Sequence, residues 1–426
     1  MRKKIAFVSL LVVFSFVLFS WGAFAQEKIL RIESDEWILN KFPVREAAER
    51  FQKDHPEIKV TVSPKEYKEF VRSYLLMWQS DETTVDLGIG GMPEQLAPLV
   101  GADLLVDLVD VVTGIEGIMP AFLDTAVFKK GEERYYPVMP FMGELMTLNI
   151  NKSFYADAGL MDAEGQPIEA ENWEQFESQL QKLKEIAPVA ALSVDWGWNF
   201  IFYSYAGGIQ AMRGSIYSPT NPQWLDFESE AALKWLELNQ KWVREGLAAS
   251  GTITDVNYGR NNFNAGIIPA IYTAHSRFIE AGEYLGEENT SMVSLPGARE
   301  NGSIVYTHAV YIPKVSPAQE LAKQFIEEQM FSEWFQQWGF NHYGKLPVVA
   351  DFYNEGLTWY QKEAELILET VNNSVALPKY KGNEMLLDLL QEQIHPLLLD
   401  RQTPEETLSN IQNEIEARDI DMTRLD

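Results

Sequence analysis

The residues with the most suggestive chemistry lie in an aromatic stretch from Ser193 to Phe200. Trp196 and Trp198 are two positions apart, so on the end of a strand both rings would project to the same side. One ring would then offer a flat apolar face for stacking, while the other packs beneath it. The alternative is that both tryptophans belong to the hydrophobic core.

A second candidate is Glu144, a single carboxylate among apolar neighbours in the stretch 137–152. Met146, Leu148 and Ile150 alternate with polar residues, which predicts a half-buried strand. We interpret this stretch as a strand that crosses between two lobes, with Glu144 at the seam. The alternative is a strand of a single core, with Glu144 on its exposed edge.

The sequence lacks the common catalytic and metal-binding signatures. It contains neither a Gly-x-Ser-x-Gly elbow nor a His-Glu-x-x-His motif. Its five histidines are scattered singly, and no pair has the spacing of metal ligands. Acidic pairs such as Asp35 and Glu36 could serve a glycosidase, but 62 acidic residues make chance pairs unavoidable. These absences favour binding over catalysis, without metal or cofactor.

Two glycine-rich stretches only partly match nucleotide-binding loops. The first, 339–345, is followed by Leu346 where a phosphate loop needs Ser or Thr. The second, 88–93, begins like a dinucleotide fingerprint but has Pro93 in place of the last glycine. We therefore expect a tight strand-to-helix turn at 88–93.

Composition limits the class of partner. The chain has no Cys, which excludes disulfides, thiolate metal sites and a lipid-modified N-terminal Cys. The formal net charge is −27, and it becomes −30 when the three basic residues of 1–25 are removed. Such a charge repels nucleic acid and anionic lipid, and it suits neutral or cationic ligands.

The first residues have the pattern of a secretion signal. Basic residues at 2–4 precede an apolar run over 5–18, and Ala23–Ala25 forms a small-x-small cleavage site. We expect cleavage after Ala25, so that the mature chain begins at Gln26 and is periplasmic or secreted. A retained membrane anchor is the alternative, but the apolar run is near the short limit for a span.

Alternating strands and helices must position these candidate residues. The N-terminal part predicts a parallel α/β sheet from strands at 29–32, 58–62 and 85–89, with helices after Pro43 and over 67–78. The loops at the carboxyl ends of parallel strands meet at one edge of a sheet and bind ligands there. Trp37, Gly91 and Met92 are therefore candidates from topology.

Later elements carry capping signals and further polar candidates. Caps are predicted at Asn172, at Ser316 with a following proline, and at Thr403, where the third residue is Glu406. Gly246 is expected to end a helix over 232–242. A predicted strand at 269–273 leads to the candidate residues His275 and Arg277. A second predicted strand, at 305–312, carries the candidates Tyr306 and His308.

Several short stretches occur in an order that is typical of a known family: Phe51–Val60, Val85–Leu87, Leu148–Leu160, Asn172–Glu174, Ala206–Gly208, Glu245–Leu247 and Leu295–Gly297. With these stretches and the helices at 316 and 403, the chain resembles the extracellular solute-binding proteins of ABC importers. Within them it is similar to the sugar-binding family that includes maltose-binding protein. The resemblance extends along nearly the whole mature chain, although each motif is weak alone.

The resemblance implies an α/β, two-lobed periplasmic-binding-protein fold. Each lobe would be a mixed sheet flanked by helices, and three hinge crossovers would join the lobes. The crossovers are expected near 139–144, 303–309 and 347–352. After the signal peptide 1–25, the N-terminal lobe would comprise 26–142 and 305–349, and the C-terminal lobe 143–304 and 350–426.

The resemblance also implies a ligand site in the cleft between the lobes. The implied ligand-binding residues are Glu36, Trp37, Gly91, Met92, Glu144, Asp195, Trp196, Trp198, His275, Arg277, Tyr306 and His308. Relatives often have Trp or Asp in the loop after Val85–Leu87, whereas this chain has Gly90-Gly91-Met92. We therefore expect the N-terminal lobe to contact the ligand through fewer side chains, or through its backbone.

The expected ligand is a carbohydrate, which a monomeric protein would deliver to the permease subunits of an ABC transporter. A sugar stacks its apolar ring face on Trp, and its hydroxyls need planar partners such as Glu144, Asp195 and Arg277. A second hypothesis keeps the fold but replaces the sugar by a polyamine, a peptide or a glycerol phosphodiester. A third is a secreted glycoside hydrolase, in which Glu144 and Asp195 would be essential.

Overall fold

The computed structural model describes residues 28–65, 70–198, 200–354, 357 and 364–426. The expected signal peptide and the start of the helix expected from residue 67 lie outside the described residues. The described part forms twelve strands: β1 Lys28–Asp35, β2 Ile58–Lys65, β3 Leu87–Ile89, β4 Phe128–Lys130, β5 Glu133–Tyr135, β6 Met139–Asn151, β7 Leu192–Val194, β8 Ala248–Ala249, β9 Ala270–Ala274, β10 Thr290–Val293, β11 Ile304–Tyr311 and β12 Val375–Ala376.

Helices flank the sheet strands, and one of them, Phe200–Arg213, is buried over most of its length. Those described are α1 Glu36–Lys41, α2 Val44–Asp54, α3 Phe70–Gln79, α4 Pro93–Gly101, α5 Val109–Gly114, α6 Pro120–Ala126, α7 Lys152–Asp157, α8 Trp173–Ile186, α9 Phe200–Arg213, α10 Glu230–Arg244, α11 Tyr258–Asn264, α12 Ser276–Leu285, α13 Ala298–Asn301, α14 Gln319–Phe325, α15 Glu333–Tyr343, α16 Ala364–Asn373, α17 Asn383–Leu398 and α18 Pro404–Ala417. None of the helices in the described part is long and apolar enough to cross a membrane.

The strands form one mixed, ten-stranded sheet whose main path is β2-β1-β3-β11-β6-β9-β7-β8. The predicted parallel arrangement of the first three strands is confirmed, since β1 pairs in parallel with both β2 and β3. A separate hairpin joins β4 and β5. The mixed sheet with flanking helices is therefore the expected α/β architecture.

Strand β6 connects the two halves of the sheet. Its first part, up to Leu145, pairs antiparallel with β11, and its second part, from Met146, pairs with β9 and β10. Every residue of β6 is buried. The prediction of a crossing strand with Glu144 at the seam is confirmed, and Glu144 does not lie on an exposed edge.

Two hydrophobic cores lie on either side of this junction. One contains β1 and β3, the first part of β6, and helices α2, α14 and α15. The other contains the second part of β6, β7, β9, and helices α9, α10, α17 and α18. The chain is thus two-lobed, with β6 and β11 contributing side chains to both cores. The exact lobe boundaries stay a prediction.

Two of the predicted helix caps are confirmed and one is wrong. Asn172 accepts a hydrogen bond from the Gln175 N–H at 2.9 Å, and Thr403 and Glu406 form the predicted reciprocal box. The helix predicted from Ser316 begins only at Gln319. The Ser316 hydroxyl instead donates to the Asp86 carboxylate at 2.7 Å, a contact between residues 230 positions apart.

Candidate functional site

A row of aromatic rings extends from one core to the other. On β11, Tyr306 and His308 are two positions apart and face the same side, as alternate strand residues do. The His308 ring lies 4.9 Å from the Trp37 ring, and the Tyr306 ring lies 4.6 Å from the Tyr203 ring of α9, between centroids. The row brings three predicted site residues together, and it joins α1 of one lobe to α9 of the other.

The N-terminal lobe contributes a buried carboxylate held by the backbone. Asp35, at the end of β1, forms an ion pair with Lys65 and accepts the Gly91 N–H at 3.0 Å. Burial raises the pKa of the Asp35 carboxyl, and the Lys65 ammonium opposes that change. A Cβ on Gly90, whose φ is 106°, would stand 2.1 Å from an Asp35 oxygen. Glycine is therefore required at position 90 for this contact.

Glu144 lies fully buried at the junction of the lobes. One of its oxygens forms an ion pair with Lys345 and accepts the Ser276 hydroxyl at 3.0 Å. Burial lowers the pKa of Lys345 to about 7. The Lys345 ammonium also lies 5.7 Å from the Trp37 ring centroid. Glu144 thus connects β6, the start of α12 and the segment after α15.

Two buried histidines in the site are neutral. His275 donates through Nε2 to the Gly344 carbonyl at 2.6 Å, and its Nδ1 accepts the Leu145 N–H at 3.1 Å. Burial lowers the pKa of His275 and of His308 to about 3. The His275 Nδ1 lies 3.1 Å from a Glu144 oxygen, but a neutral imidazole that uses Nδ1 as an acceptor makes no ion pair there.

The C-terminal lobe contributes Asp195 and Arg277. Asp195 follows β7 and accepts the Thr273 hydroxyl of the neighbouring strand β9. Burial raises the pKa of Asp195 to about 6, although Thr273 and the Arg277 charge oppose it. Arg277, in the first turn of α12, forms an ion pair with Glu280 at 2.7 Å. Because β7 and β9 pair in parallel and the two predicted residues follow these strands, they lie near each other at the carboxyl ends of the strands.

The two tryptophans occupy different environments. Trp196 is 2% exposed and packs against Trp235 inside the core of the C-terminal lobe. Trp198 is half-buried, and its φ of 49° turns the chain out of the strand conformation. The expected projection to the same side therefore fails, because Trp198 lies in the left-handed region. Of the pair, Trp198 is the one that lines a pocket.

This pocket, which we call the cleft pocket, has a volume of 220 Å³ and lies between the lobes. Helices α3 and α4 line it on the N-terminal side, with Phe70 and Glu94. Trp198, α9 and α17 line it on the C-terminal side. The Tyr203 hydroxyl donates to the Glu94 carboxylate and also contacts Met92, so the pocket adjoins the row of rings.

Among the described lining residues of the cleft pocket, Trp198 is the only predicted site residue, and Glu36 also lies away from the row of rings. It is exposed in the first turn of α1, while its neighbour Asp35 is the buried carboxylate. Sequence reasoning also missed Lys65, Lys345, Tyr203 and the pocket face of α17. One feature of the sequence does point to Lys345. It directly follows Gly344, which ends α15, and it belongs to the stretch 339–345 that partly matches a phosphate loop. The pairing with Glu144 spans some 200 residues and leaves no local pattern.

No cluster of three or more potential metal ligands occurs in the described residues. Buried carboxylates, a guanidinium, neutral histidines and aromatic rings meet between two lobes. Such an arrangement offers hydrogen-bond partners and flat apolar faces to a ligand. The fold and the site together define a two-lobed ligand-binding protein.

The chain belongs to the family of bacterial extracellular solute-binding proteins, whose model matches residues 43–334, more than half of the chain. A comparison with curated proteins found no match. Glu144, Asp195 and Arg277 fall inside the matched region, as do Tyr306 and His308.

Solved structures of similar fold cover nearly the whole chain. MalE3 of T. maritima with bound maltose shares 15% identity and a TM-score of 0.75, over 92% of this chain and 99% of that one. The GacH receptor of Streptomyces glaucescens, solved unliganded and with acarbose, shares 15% identity over 92% and 98% of the two chains, with a TM-score of 0.74. A solute-binding protein of Thermotoga lettingae with α-D-tagatose shares 17% identity over 92% and 99%, with a TM-score of 0.75. At these identities the likeness shows the fold.

Proposed function

We propose that the chain is the extracytoplasmic substrate-binding component of an ABC transporter, and that it binds a mono- or oligosaccharide between its lobes. One observation carries the proposal. Glu144 Oε2, Asp195 Oδ1 and His308 Nδ1 are buried without a hydrogen-bond partner among the described residues. Each such atom costs roughly 1–3 kcal/mol, and a ligand rich in hydroxyls would satisfy them.

The roles of the residues follow from their surroundings. Trp198 serves as the stacking platform, because its ring lines the cleft pocket. We assign the binding of sugar hydroxyls to Glu144, Asp195 and Arg277, which lie outside the described lining of the cleft pocket, since bonds to charged groups are stronger than neutral ones. On the N-terminal side, Trp37 supplies an aromatic face. Trp196 supports the platform loop from the core.

The remaining members of the predicted site act around this centre. Gly91 and Met92 form the N-terminal wall, where the Gly91 N–H orients Asp35. His275 and Tyr306 hold the crossing strands and the row of rings in place, and His308 also offers its Nδ1 to the ligand. Glu36 contributes only at the rim, because it is exposed.

The proposed ligand agrees with those named for the structural neighbours. Maltose, acarbose and α-D-tagatose are bound in the three structures described above. All three ligands are rich in hydroxyls and uncharged or basic. Binding without turnover follows from the same proposal, so Glu144 and Asp195 are hydrogen-bonding groups and not a hydrolytic pair.

For transport, the two lobes must close around the ligand and open again to release it. A sugar that contacts both lobes favours the closed state over the open one, by its differential affinity. The hinge would comprise β6, β11 and the segment 347–352, between lobes bounded as expected from the sequence. The protein would act as a monomer that has lost residues 1–25, and it would present both lobes to the permease without binding nucleic acid.

A polyamine is the second candidate, because the lining residues that the structure describes for the cleft pocket include acidic side chains and no Lys or Arg. The same lining disfavours a glycerol phosphodiester. A thermal-shift screen of residues 26–426 separates these ligands, since a compound that binds only the folded state raises the melting temperature. The proposal expects a shift with particular saccharides. A shift with polyamines alone would contradict it.

A further inference from the structure

The cleft pocket has an unbalanced charge. Among its described lining residues are three carboxylates, those of Glu94, Glu384 and Asp388, and no Lys or Arg. Glu384 and Asp388 are four positions apart on α17, so they project from the same face of that helix. Both are exposed at the mouth, whereas Glu94 is 7% exposed at the inner end. Negative charge therefore extends from the mouth to the interior.

A buried acceptor in the same pocket lacks a partner. Asn383, the first residue of α17, is 7% exposed and lines the pocket. Its Oδ1 makes no hydrogen bond within the described part of the chain. A buried acceptor without a donor is unfavourable, so this atom favours a ligand that brings a donor group.

Glu94 also favours a cationic donor. It accepts the Tyr203 hydroxyl, and Lys379, whose charge acts to lower its pKa, is not among the described lining residues of the pocket. Burial raises the pKa of Glu94 to about 7, which means that the surroundings stabilise its charge poorly. A ligand ammonium would supply the missing positive charge and three donors.

The rest of the lining suits a sugar ring and not only an alkyl chain. Trp198, Phe70 and Phe202 present aromatic faces, on which a sugar ring or a cation can stack. Gln95 and Gln391 add side-chain amides, which both donate and accept hydrogen bonds. Hydroxyls can meet both demands, whereas an alkylammonium offers donors only.

We propose, on the basis of the carbohydrate function above, that the cleft pocket selects a saccharide that carries a free, protonated amine. The ammonium lies between Glu94, Asn383 and the carboxylates at the mouth, while the ring stacks on Trp198. Uronic acids and phosphorylated sugars are rejected, because they would bring a second negative charge into an acidic pocket.

The test compares three disaccharides with the same linkage and stereochemistry. Chitobiose carries free amines, di-N-acetylchitobiose carries acetamides and cellobiose carries hydroxyls. Calorimetric titrations of residues 26–426 are done at a pH where the amine is protonated. We expect chitobiose to bind roughly tenfold or more tightly than the neutral pair, because a charge-assisted hydrogen bond is about twice as strong as a neutral one.

A variant at the mouth isolates the charge effect. Glu384→Gln with Asp388→Asn should remove most of the preference for chitobiose over cellobiose. Glu392→Gln with Glu405→Gln is the matched control, since these exposed carboxylates change the net charge equally and lie outside the pocket lining. Added salt should weaken the binding of chitobiose alone.

The outcomes separate the two proposals. Binding of a neutral saccharide with equal or weaker binding of its amino form overturns the amine selectivity and keeps the carbohydrate function. Binding of spermidine with no saccharide bound overturns both. Absence of chitobiose binding overturns the selectivity whatever else binds. Equal loss of preference in the control variant also overturns it, because the effect would then come from net charge alone.

Discussion

Two tryptophans that look alike in the sequence have different roles in the structure. Trp196 fills the core beside Trp235, whereas Trp198 faces the cleft pocket. The sequence makes this stretch a candidate for an aromatic platform, with a core role for both rings as the alternative. It does not indicate which ring faces outward, because the left-handed conformation of Trp198 reverses the expectation from strand alternation.

Alanine substitution at each tryptophan tests this assignment. We expect Trp198→Ala to weaken saccharide binding about tenfold or more with little loss of stability, since a stacked aromatic face is removed from a half-buried position. Trp196→Ala should cost about 3–5 kcal/mol of unfolding free energy, as large core deletions do. Urea unfolding and calorimetry measure the two effects. A stability loss confined to Trp198→Ala would contradict the assignment.

The buried neutral histidines predict a dependence of stability on pH. In the unfolded chain His308 binds a proton below its ordinary pKa of 6.5, while in the folded protein burial and the charges of Lys65 and Arg277 lower that pKa to about 3. The unfolded state therefore binds more protons between these values, and the contribution of His308 to stability is lost as the pH falls from 6.5 towards 3.

Replacement of this histidine should flatten the acid side of the stability curve. Below pH 6.5, His308→Gln should lose less stability per pH unit than the parent, by up to about 1.4 kcal/mol per unit. Comparison of variant with parent is needed because Asp195 and Glu94, whose pKa values are raised, have the opposite pH dependence. His342→Gln, at an exposed position, should follow the parent. Parallel curves for His308→Gln and the parent would contradict the account.

At the scale of elements, the turn between β3 and α4 sets the geometry of the N-terminal side. Its strand-to-helix character was predictable from the glycines and Pro93, and it is confirmed. The contact of the Gly91 N–H with Asp35 was not predictable, since it depends on how β1 and β3 pair. Local patterns identify turns and caps, while contacts between distant segments decide what those turns hold.

The turn makes a specific prediction at Gly90. Gly90→Ala should cost about 1–3 kcal/mol and weaken ligand binding, because its φ is 106° and the new Cβ would clash with Asp35. Gly101→Ala, at the end of α4, is the matched control: a Cβ there meets no atom within 4 Å. Thermal unfolding and calorimetry measure both variants. An equal effect of the two substitutions would show that the Asp35 contact is unimportant.

The same contrast explains which helix starts were predictable. The Thr403 box is local, because both hydrogen bonds join residues three positions apart. Ser316 has the same local pattern, yet its hydroxyl bonds Asp86, which also holds Arg31. A tertiary partner thus displaced a cap that the sequence alone favoured. The Glu144–Lys345 pair is likewise non-local, so no spacing rule would find it.

For the whole molecule, the two cores and the shared strands β6 and β11 predict a rigid-body closure. The chain has no Cys, so two introduced cysteines can be labelled specifically. Lys53→Cys on α2 and Lys234→Cys on α10 place labels at exposed positions in different lobes. We expect energy transfer between the labels to change when a saccharide is added and to return when it is removed. A ligand that binds without any such change would contradict closure.

Much of the whole-molecule architecture could be predicted from the order of motifs, because the α/β alternation and family-like stretches are spread along the chain. The composition of the cleft pocket could not, because its described lining residues come from α3, α4, the turn at Trp198, α9 and α17 and meet only in the folded protein. In particular, the pocket face of α17 carries no motif, and its Asn383 and Asp388 resemble ordinary helix-surface residues.

The most direct test of the account is a calorimetric titration of residues 26–426 with saccharides, followed by analysis of the recovered ligand. The account predicts saturable binding of about one saccharide per chain, binding that is about tenfold weaker or more in Trp198→Ala, and recovery of the saccharide intact. Hydrolysis of the saccharide, or full binding by Trp198→Ala, would contradict the claim that this cleft binds and delivers a carbohydrate.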